Sequence, residues 1–163
     1  MNEIKKDFPV LVNNPSLVYL DSCATSLKPK CVIDKIDEYY EKYGVNVNRG
    51  VYELSYHATC EYEETREITA KFLNAKPEEI VFTKGASNGL NLIASSYGLD
   101  NIQEGDEIIT SELEHHSNII PWQNVAKRKN AVLKFIELDS TGRITVESFK
   151  RVLTNKTKVV AIT

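Results

Sequence analysis

The sequence predicts an α/β protein with a mostly parallel sheet flanked by helices, and two observations carry that expectation. Through the second half of the chain, short runs rich in Val, Ile and Phe alternate with segments whose apolar residues recur every three or four positions. The joints between them carry Gly, Asn and Asp, which end one element and start the next. Strand and helix patterns in this alternation build βαβ units, and hence a parallel, doubly wound sheet.

Taken in order, residues 18–21 (VYLD) form a short apolar run ending in an acid, and Pro29 sits where a first helical turn tolerates it. A helix follows, with Val32, Ile36, Tyr39, Tyr40 and Tyr43 at three- and four-residue steps and Gly44 as a left-handed stop. Residues 45–57 (VNVNRGVYELSYH) lose the period and read as a loop held by tertiary contacts. Residues 59–73 regain a helical stripe through Tyr62, Ile68 and Phe72, with charges opposite. Residues 79–83 (EIVFT) then read as a buried strand, 88–97 as a helix and 107–110 (EIIT) as a strand. Residues 119–128 read as a helix opened by Pro121 near its first turn. Strand 132–136, helix 146–153 and strand 158–163 (KVVAIT) complete the series. That last run has the continuous apolar character of a central parallel strand and stops without a following helix, so the chain is expected to be incomplete.

Composition excludes several functions. With 20 Lys and Arg against 23 Asp and Glu, a net charge of −3 offers no excess of cations to neutralise a phosphate backbone, so nucleic acid is not an expected partner. The longest uncharged stretch, residues 85–99, is rich in Asn, Ser and Gly and shorter than the roughly 20 apolar residues of a spanning helix, so no membrane association is expected. Residues 1–8 show no secretory or transit signal, which favours a cytoplasmic protein. Cys23, Cys31 and Cys60 are an odd set without a CxxC pair, so they read as buried thiols of a reducing compartment.

Two segments carry chemistry. In residues 82–89 (FTKGASNG) a strand passes through Gly85 into a helix, leaving free N–H groups and the positive end of a helix dipole at one point, with the Ser87 hydroxyl beside them. Neither the Walker A nor the GxGxxG pattern is present. An ordinary βα turn capped by Ser87 or Asn88 accounts for the same residues. In residues 112–118 (ELEHHSN), directly after a strand, His115 and His116 point in different directions at the carboxyl edge of the sheet, where open α/β folds bind ligands. An imidazole there suits stacking on a flat ring and proton exchange near neutral pH, although a histidine pair in a loop also serves as a surface or capping feature. His57 and Cys60 have helical spacing, but no second ligand pair lies at zinc-finger distance and HExxH is absent, so no metal is expected. Ser–His–Asp catalysis lacks its GxSxG elbow.

Four stretches, residues 19–29 (YLDSCATSLKP), 46–55 (NVNRGVYELS), 78–94 (EEIVFTKGASNGLNLIA) and 105–123 (GDEIITSELEHHSNIIPWQ), together resemble the class V aminotransferase-fold enzymes. The closest resemblance is to the Suf-type cysteine desulfurases and their selenocysteine-lyase relatives, and the EHHSNIIPWQ block is its most specific part. The resemblance implies a fold-type I enzyme dependent on pyridoxal 5'-phosphate (PLP), here as an incomplete large domain. Residues 1–25 would be an amino-terminal segment and 26–163 the amino-terminal part of the PLP-binding domain. It implies removal of sulfur from L-cysteine to leave L-alanine and a persulfide, passed to a Suf-type acceptor protein for iron–sulfur cluster assembly, by a homodimer. By position, Ala86 and Ser87 would hold the cofactor phosphate, and His115 would stack on the pyridine ring and assist proton transfer. Ala24 and Arg49 would lie near the pocket mouth.

The chain departs from the family pattern at Asn48, where histidine is usual, at Ser87, where threonine is commoner, and at Asn88, often glutamate or threonine. Cys23 replaces a common alanine and is not the catalytic thiol, which the family carries much later. The family's cofactor lysine follows a histidine, but here His57, His115 and His116 precede Ala58, His116 and Ser117. Residues 1–163 are therefore expected to lack desulfurase activity by themselves. Selenocysteine lyase, a kynureninase-like enzyme, and a non-catalytic α/β module that binds an anion or a protein are the alternative readings.

Overall fold

The structure, a computed structural model, describes residues 3–163. They divide into two compact units, one running to Ile80 and the other spanning Val81–Thr163.

The first unit is helical. A 3₁₀ turn at Ile4–Asp7 leads into α1 (Pro9–Asn13), and Pro29 opens α2 (Lys30–Glu38), which continues as a π-helical turn over Tyr39–Tyr43. The expected stop at Gly44 is there, but at φ −67°, not in the left-handed conformation. Close approach requires the glycine instead, since a Cβ would lie 3.2 Å from the Tyr39 carbonyl oxygen and the Tyr40 Cα. Tyr43 is buried, its ring edge-on to Tyr39 at 5.5 Å and to His57 at 4.6 Å, and this joins α2 to α3 (Glu53–Leu73).

The loop expected over residues 45–57 is shorter, because α3 already begins at Glu53. Its first turns bury only Ser55 and Ala58 and expose Leu54 and Tyr56, so no apolar period announces them. The Ser55 hydroxyl holds the loop, accepting the Gly50 N–H at 3.0 Å and donating to the Asn46 carbonyl at 2.6 Å. Asn48 takes a left-handed φ of 69°, which asparagine tolerates, and its N–H donates to Thr59. Tyr62, Ile68 and Phe72 are exposed; the buried face of α3 is Ser55, Ala58 and Ala70. Asn74 in the left-handed region ends the helix.

The strand expected over residues 79–83 forms no ladder among the described residues. Pro77–Glu79 is a 3₁₀ turn, and the Ile80 carbonyl accepts from the Arg66 guanidinium rather than from a neighbouring strand. The cysteines also differ from expectation: Cys23 lies in a turn, Cys31 in the first turn of α2 and Cys60 on the outer face of α3, and all three are exposed.

The second unit is the α/β part. Helix α4 (Ala86–Ile93) runs through a π-helical turn at Ala94–Gly98 into the short α5 (Leu99–Asn101). Then come β1 (Glu107–Ser111), α6 (His116–Lys129), β2 (Val132–Ile136), α7 (Val146–Val152) and β3 (Thr157–Val160). All pairings are parallel, in the order β2-β1-β3, with Glu107 opposite Val132 and Ile108 opposite Val159. Each crossover is a helix, as parallel pairing demands. Among the described residues β1 is the central strand and is buried throughout, whereas β3 lies at an edge with alternating burial and exposed Val160. Within residues 3–163 this run pairs with β1 alone, and its ladder ends at Val160, followed by one further bond from the Ala161 N–H to the Ile109 carbonyl.

The core joins Ala94, Ile102, Ile108, Trp122, Val125, Ala126 and Ala161 beneath α4 and α6. Gly98 allows the close approach: a Cβ there would come within 3.0 Å of the Trp122 ring. Helix α6 starts earlier than Pro121 indicates. His115 is its cap and Pro121 falls inside it, because a side-chain cap, not the proline, sets the start. Among the described residues no helix is long and apolar enough to cross a membrane, and no group of three or more His, Cys, Asp or Glu is placed to hold a metal.

Candidate functional site: two helix starts in the α/β unit

Gly85 has φ 145° and ψ 174°, a conformation essentially reserved for glycine, and it is the N-cap of α4. The cap expected at Ser87 or Asn88 is therefore two or three residues later than the true one. The Thr83 hydroxyl donates to the Gly85 carbonyl at 3.2 Å, and the Asn88 side chain accepts the Lys84 N–H at 3.3 Å, which pins the turn from both sides. The Gly85 carbonyl takes the N–H groups of Asn88 and Gly89 at 3.0 and 3.1 Å. This leaves the exposed Ala86 and Ser87 with backbone N–H groups that have no acceptor among the described residues. With the Ser87 hydroxyl alongside and no acidic residue in the first turn, the α4 start can bind an anion.

The second start is that of α6, which packs against α4. His115 Nδ1 accepts the Ser117 N–H at 3.1 Å and lies 2.9 Å from the Ser117 hydroxyl. A backbone N–H only donates, so Nδ1 presents its lone pair, and the proton of the neutral ring sits on Nε2. The capping role and the functional one are thus compatible: one nitrogen holds the helix while the exposed ring keeps a face and an N–H for a ligand. The His116 ring lies 6.3 Å away at 75° to it, so the two imidazoles do diverge.

Glu114, which the sequence did not single out, lies buried beside His115. The Asn118 amide donates to its Oε2 at 2.8 Å, the Thr163 N–H to Oε1 and the Thr163 hydroxyl to Oε2 at 2.8 Å each, and the Ser111 hydroxyl to Oε1 at 3.4 Å. Burial by itself pushes its carboxyl up, but these four donors outweigh that and hold it below its ordinary 4.5. No local pattern marks Glu114, because its partners include a residue 49 positions away. Ala24 and Arg49 belong to the first unit, and both are exposed. The Ala24 N–H donates to the Asp21 carbonyl, and Arg49 follows the left-handed Asn48.

A parallel β2-β1-β3 sheet with an open helix start and a histidine-capped helix after its central strand is the arrangement of an open α/β fold that takes a ligand at the carboxyl ends of its strands. The chain belongs to the class-V aminotransferase family, whose profile matches residues 18–163. Among curated proteins it is 51% identical over 166 residues to a probable cysteine desulfurase of Staphylococcus aureus (strain Mu50), covering 99% of this chain and 40% of that one. It is 52% identical over 161 residues to a probable cysteine desulfurase of Staphylococcus epidermidis (strain ATCC 12228), covering 96% of this chain and 39% of the relative. The chain thus spans about two fifths of the length of these relatives.

Solved structures agree. The apo cysteine desulfurase of Thermococcus onnurineus NA1 superposes with a TM-score of 0.89 at 45% identity, over 99% of this chain and 39% of that one. The Escherichia coli cysteine desulfurase CsdA gives 0.82 at 33% identity, over 98% and 40%. A C-DES variant with glycine covalently linked to its PLP cofactor shares the fold at 21% identity and a TM-score of 0.79, over 97% and 40%. The fold is that of the fold-type I PLP-dependent transferases, as the sequence predicts.

Proposed function

We propose that the whole protein carrying these residues is a PLP-dependent cysteine desulfurase, converting L-cysteine to L-alanine and an enzyme-bound persulfide. The observation that carries this reading is the open start of α4, with its unpaired Ala86 and Ser87 N–H groups, in a chain 51% identical to probable cysteine desulfurases. The residues present fit the cofactor. The Ala86 and Ser87 N–H groups and the Ser87 hydroxyl would hold its phosphate, and the His115 ring, clamped at Nδ1, would stack on its pyridine ring and assist proton transfer. When bound, PLP supplies the electron-withdrawing ring that weakens bonds at the substrate α-carbon.

In this reading residues 1–25 are an amino-terminal segment and residues 26–163 the amino-terminal part of the PLP-binding domain. The sulfur acceptor is a Suf-type protein serving iron–sulfur cluster assembly, and the working form is a cytoplasmic homodimer. No lysine follows a histidine in this chain, so residues 1–163 alone do not turn over L-cysteine.

The test uses the full-length protein. It should be yellow and bleach on borohydride reduction, and His115→Ala should depress alanine release from L-cysteine far more than it depresses protein yield. A colourless protein overturns the cofactor assignment, and undiminished turnover in His115→Ala overturns the histidine's role.

A further inference from the structure

Among the buried polar side chains of the second unit, Glu114 ties the turn that carries His115 to three places in the fold. Its carboxylate takes Ser111 from the end of β1, Asn118 from the first turn of α6, and both the N–H and the hydroxyl of Thr163, just beyond β3. Ser111 in turn accepts the Leu113 N–H at 3.2 Å, so the backbone between β1 and α6 is tied at successive points. His115 follows immediately. We propose that Glu114 is a positioning residue that holds the turn between β1 and α6 so that the His115 ring is presented to the cofactor; this rests on the function proposed above.

The geometry leaves the ring little other support. Its Nδ1 is committed to Ser117, one residue pair away on the same turn, so the plane of the imidazole follows the backbone of residues 114–117. That backbone is fixed from the buried side by Glu114. The chemistry also explains why a carboxylate stands there. Three neighbours turn four donor groups toward it, and an ionised carboxylate is the side chain that only accepts. Glutamine has the same volume but would turn an amide N–H₂ toward donors, so it breaks part of the tie without leaving a hole. A buried group that merely joined strands would serve stability alone. A positioning group must act through His115, and this difference is measurable.

The experiment is a double-mutant cycle on the full-length holoenzyme: wild type, Glu114→Gln, His115→Ala and both together. Turnover of L-cysteine and the absorption maximum and release rate of bound PLP are read for each. Glu114→Gln should lower kcat about tenfold with KM nearly unchanged, the signature of a lost transition-state contribution. It should shift the PLP absorption in the direction that His115→Ala shifts it. In the His115→Ala background the same substitution should change neither. Thr163→Val, which removes one hydroxyl donor and keeps the backbone bond, should reproduce the effect in weaker form and covers the case in which Glu114→Gln does not fold. Equal losses in both backgrounds overturn the proposal and make Glu114 a structural tie. A protein whose PLP spectrum shows the coupling but which releases no alanine from L-cysteine overturns the desulfurase reading and supports the role of Glu114.

Discussion

Replacing Gly85 by alanine isolates the one backbone feature on which the anion site depends. At φ 145° and ψ 174° a non-glycine residue bears a torsional cost of about 1–3 kcal/mol. No atom lies within 4 Å of the position a Cβ would take, so steric crowding adds nothing and the whole effect is conformational. The chain can keep the turn and lose that stability, or relax the torsion. Relaxation breaks the Thr83 and Lys84–Asn88 bonds and redirects the Ala86 and Ser87 N–H groups. In the second case PLP affinity falls by roughly five- to hundredfold, the same free energy expressed in binding. Gly105→Ala is the control: φ is 79°, its Cβ would also meet nothing, and it lies between α5 and β1, outside both helix starts. Urea midpoints and PLP release rates of both full-length variants separate the two outcomes. The reasoning fails if Gly85→Ala holds PLP as the wild type does at unchanged stability, or if Gly105→Ala releases PLP equally fast.

Ile108 is fully buried in the central strand, and Ile108→Ala should cost about 2–5 kcal/mol in urea unfolding, with PLP absorption unchanged in the fraction that folds. Ser55→Ala removes both the acceptor for Gly50 and the donor to Asn46, and leaving those loop groups unpaired should cost about 1–3 kcal/mol, read as a lower thermal midpoint. Glu107, Glu114 and Asp139 are all held below their ordinary values: Glu107 chiefly by Lys134, Glu114 by its four donors against burial, and Asp139 chiefly by the Arg143 N–H. A depressed folded-state value gives stability that is present above the unfolded value and lost as pH falls through the folded one. Stability should therefore be flat near neutrality and decline below about pH 4.5; a midpoint constant down to pH 3 would count against these assignments.

The alternating half of the chain was legible because each element there satisfies its own pattern. Strand β2 matches residues 132–136, β1 and α7 differ from expectation by one residue, and the helix at 30–43 and its stop at Gly44 are where the period puts them. Expectation failed where a single polar group decides the structure. The Ser55 hydroxyl ties residues 46–50 to the first turn of α3, and the His115 ring starts α6 before Pro121. Residues 80–83 carry strand chemistry, yet a ladder requires a partner, which no local sequence specifies, and here the Ile80 carbonyl belongs to Arg66. At the site, Gly85 and His115 were visible through a backbone requirement and a ring. Glu114 was invisible because its meaning lies in Thr163.

An open helix start does not by itself mark a cofactor site, since α2 and α3 also begin without side-chain caps, at Pro29 and Tyr52. What separates α4 from them is charge and chemistry in the first turn. Helix α3 carries Glu53 there, a carboxylate at its own positive end, and Lys30 of α2 is already paired with Asp34. The first turn of α4 carries no acid and offers a serine hydroxyl beside its free N–H groups. The proposed location therefore rests on residues 85–88, whereas the proposed identity of the anion rests on kinship with the class-V aminotransferases. The two arguments are independent, and they meet at Ser87: a variant that removes only its hydroxyl tests the chemistry of the site while leaving the helix start and the family fold in place.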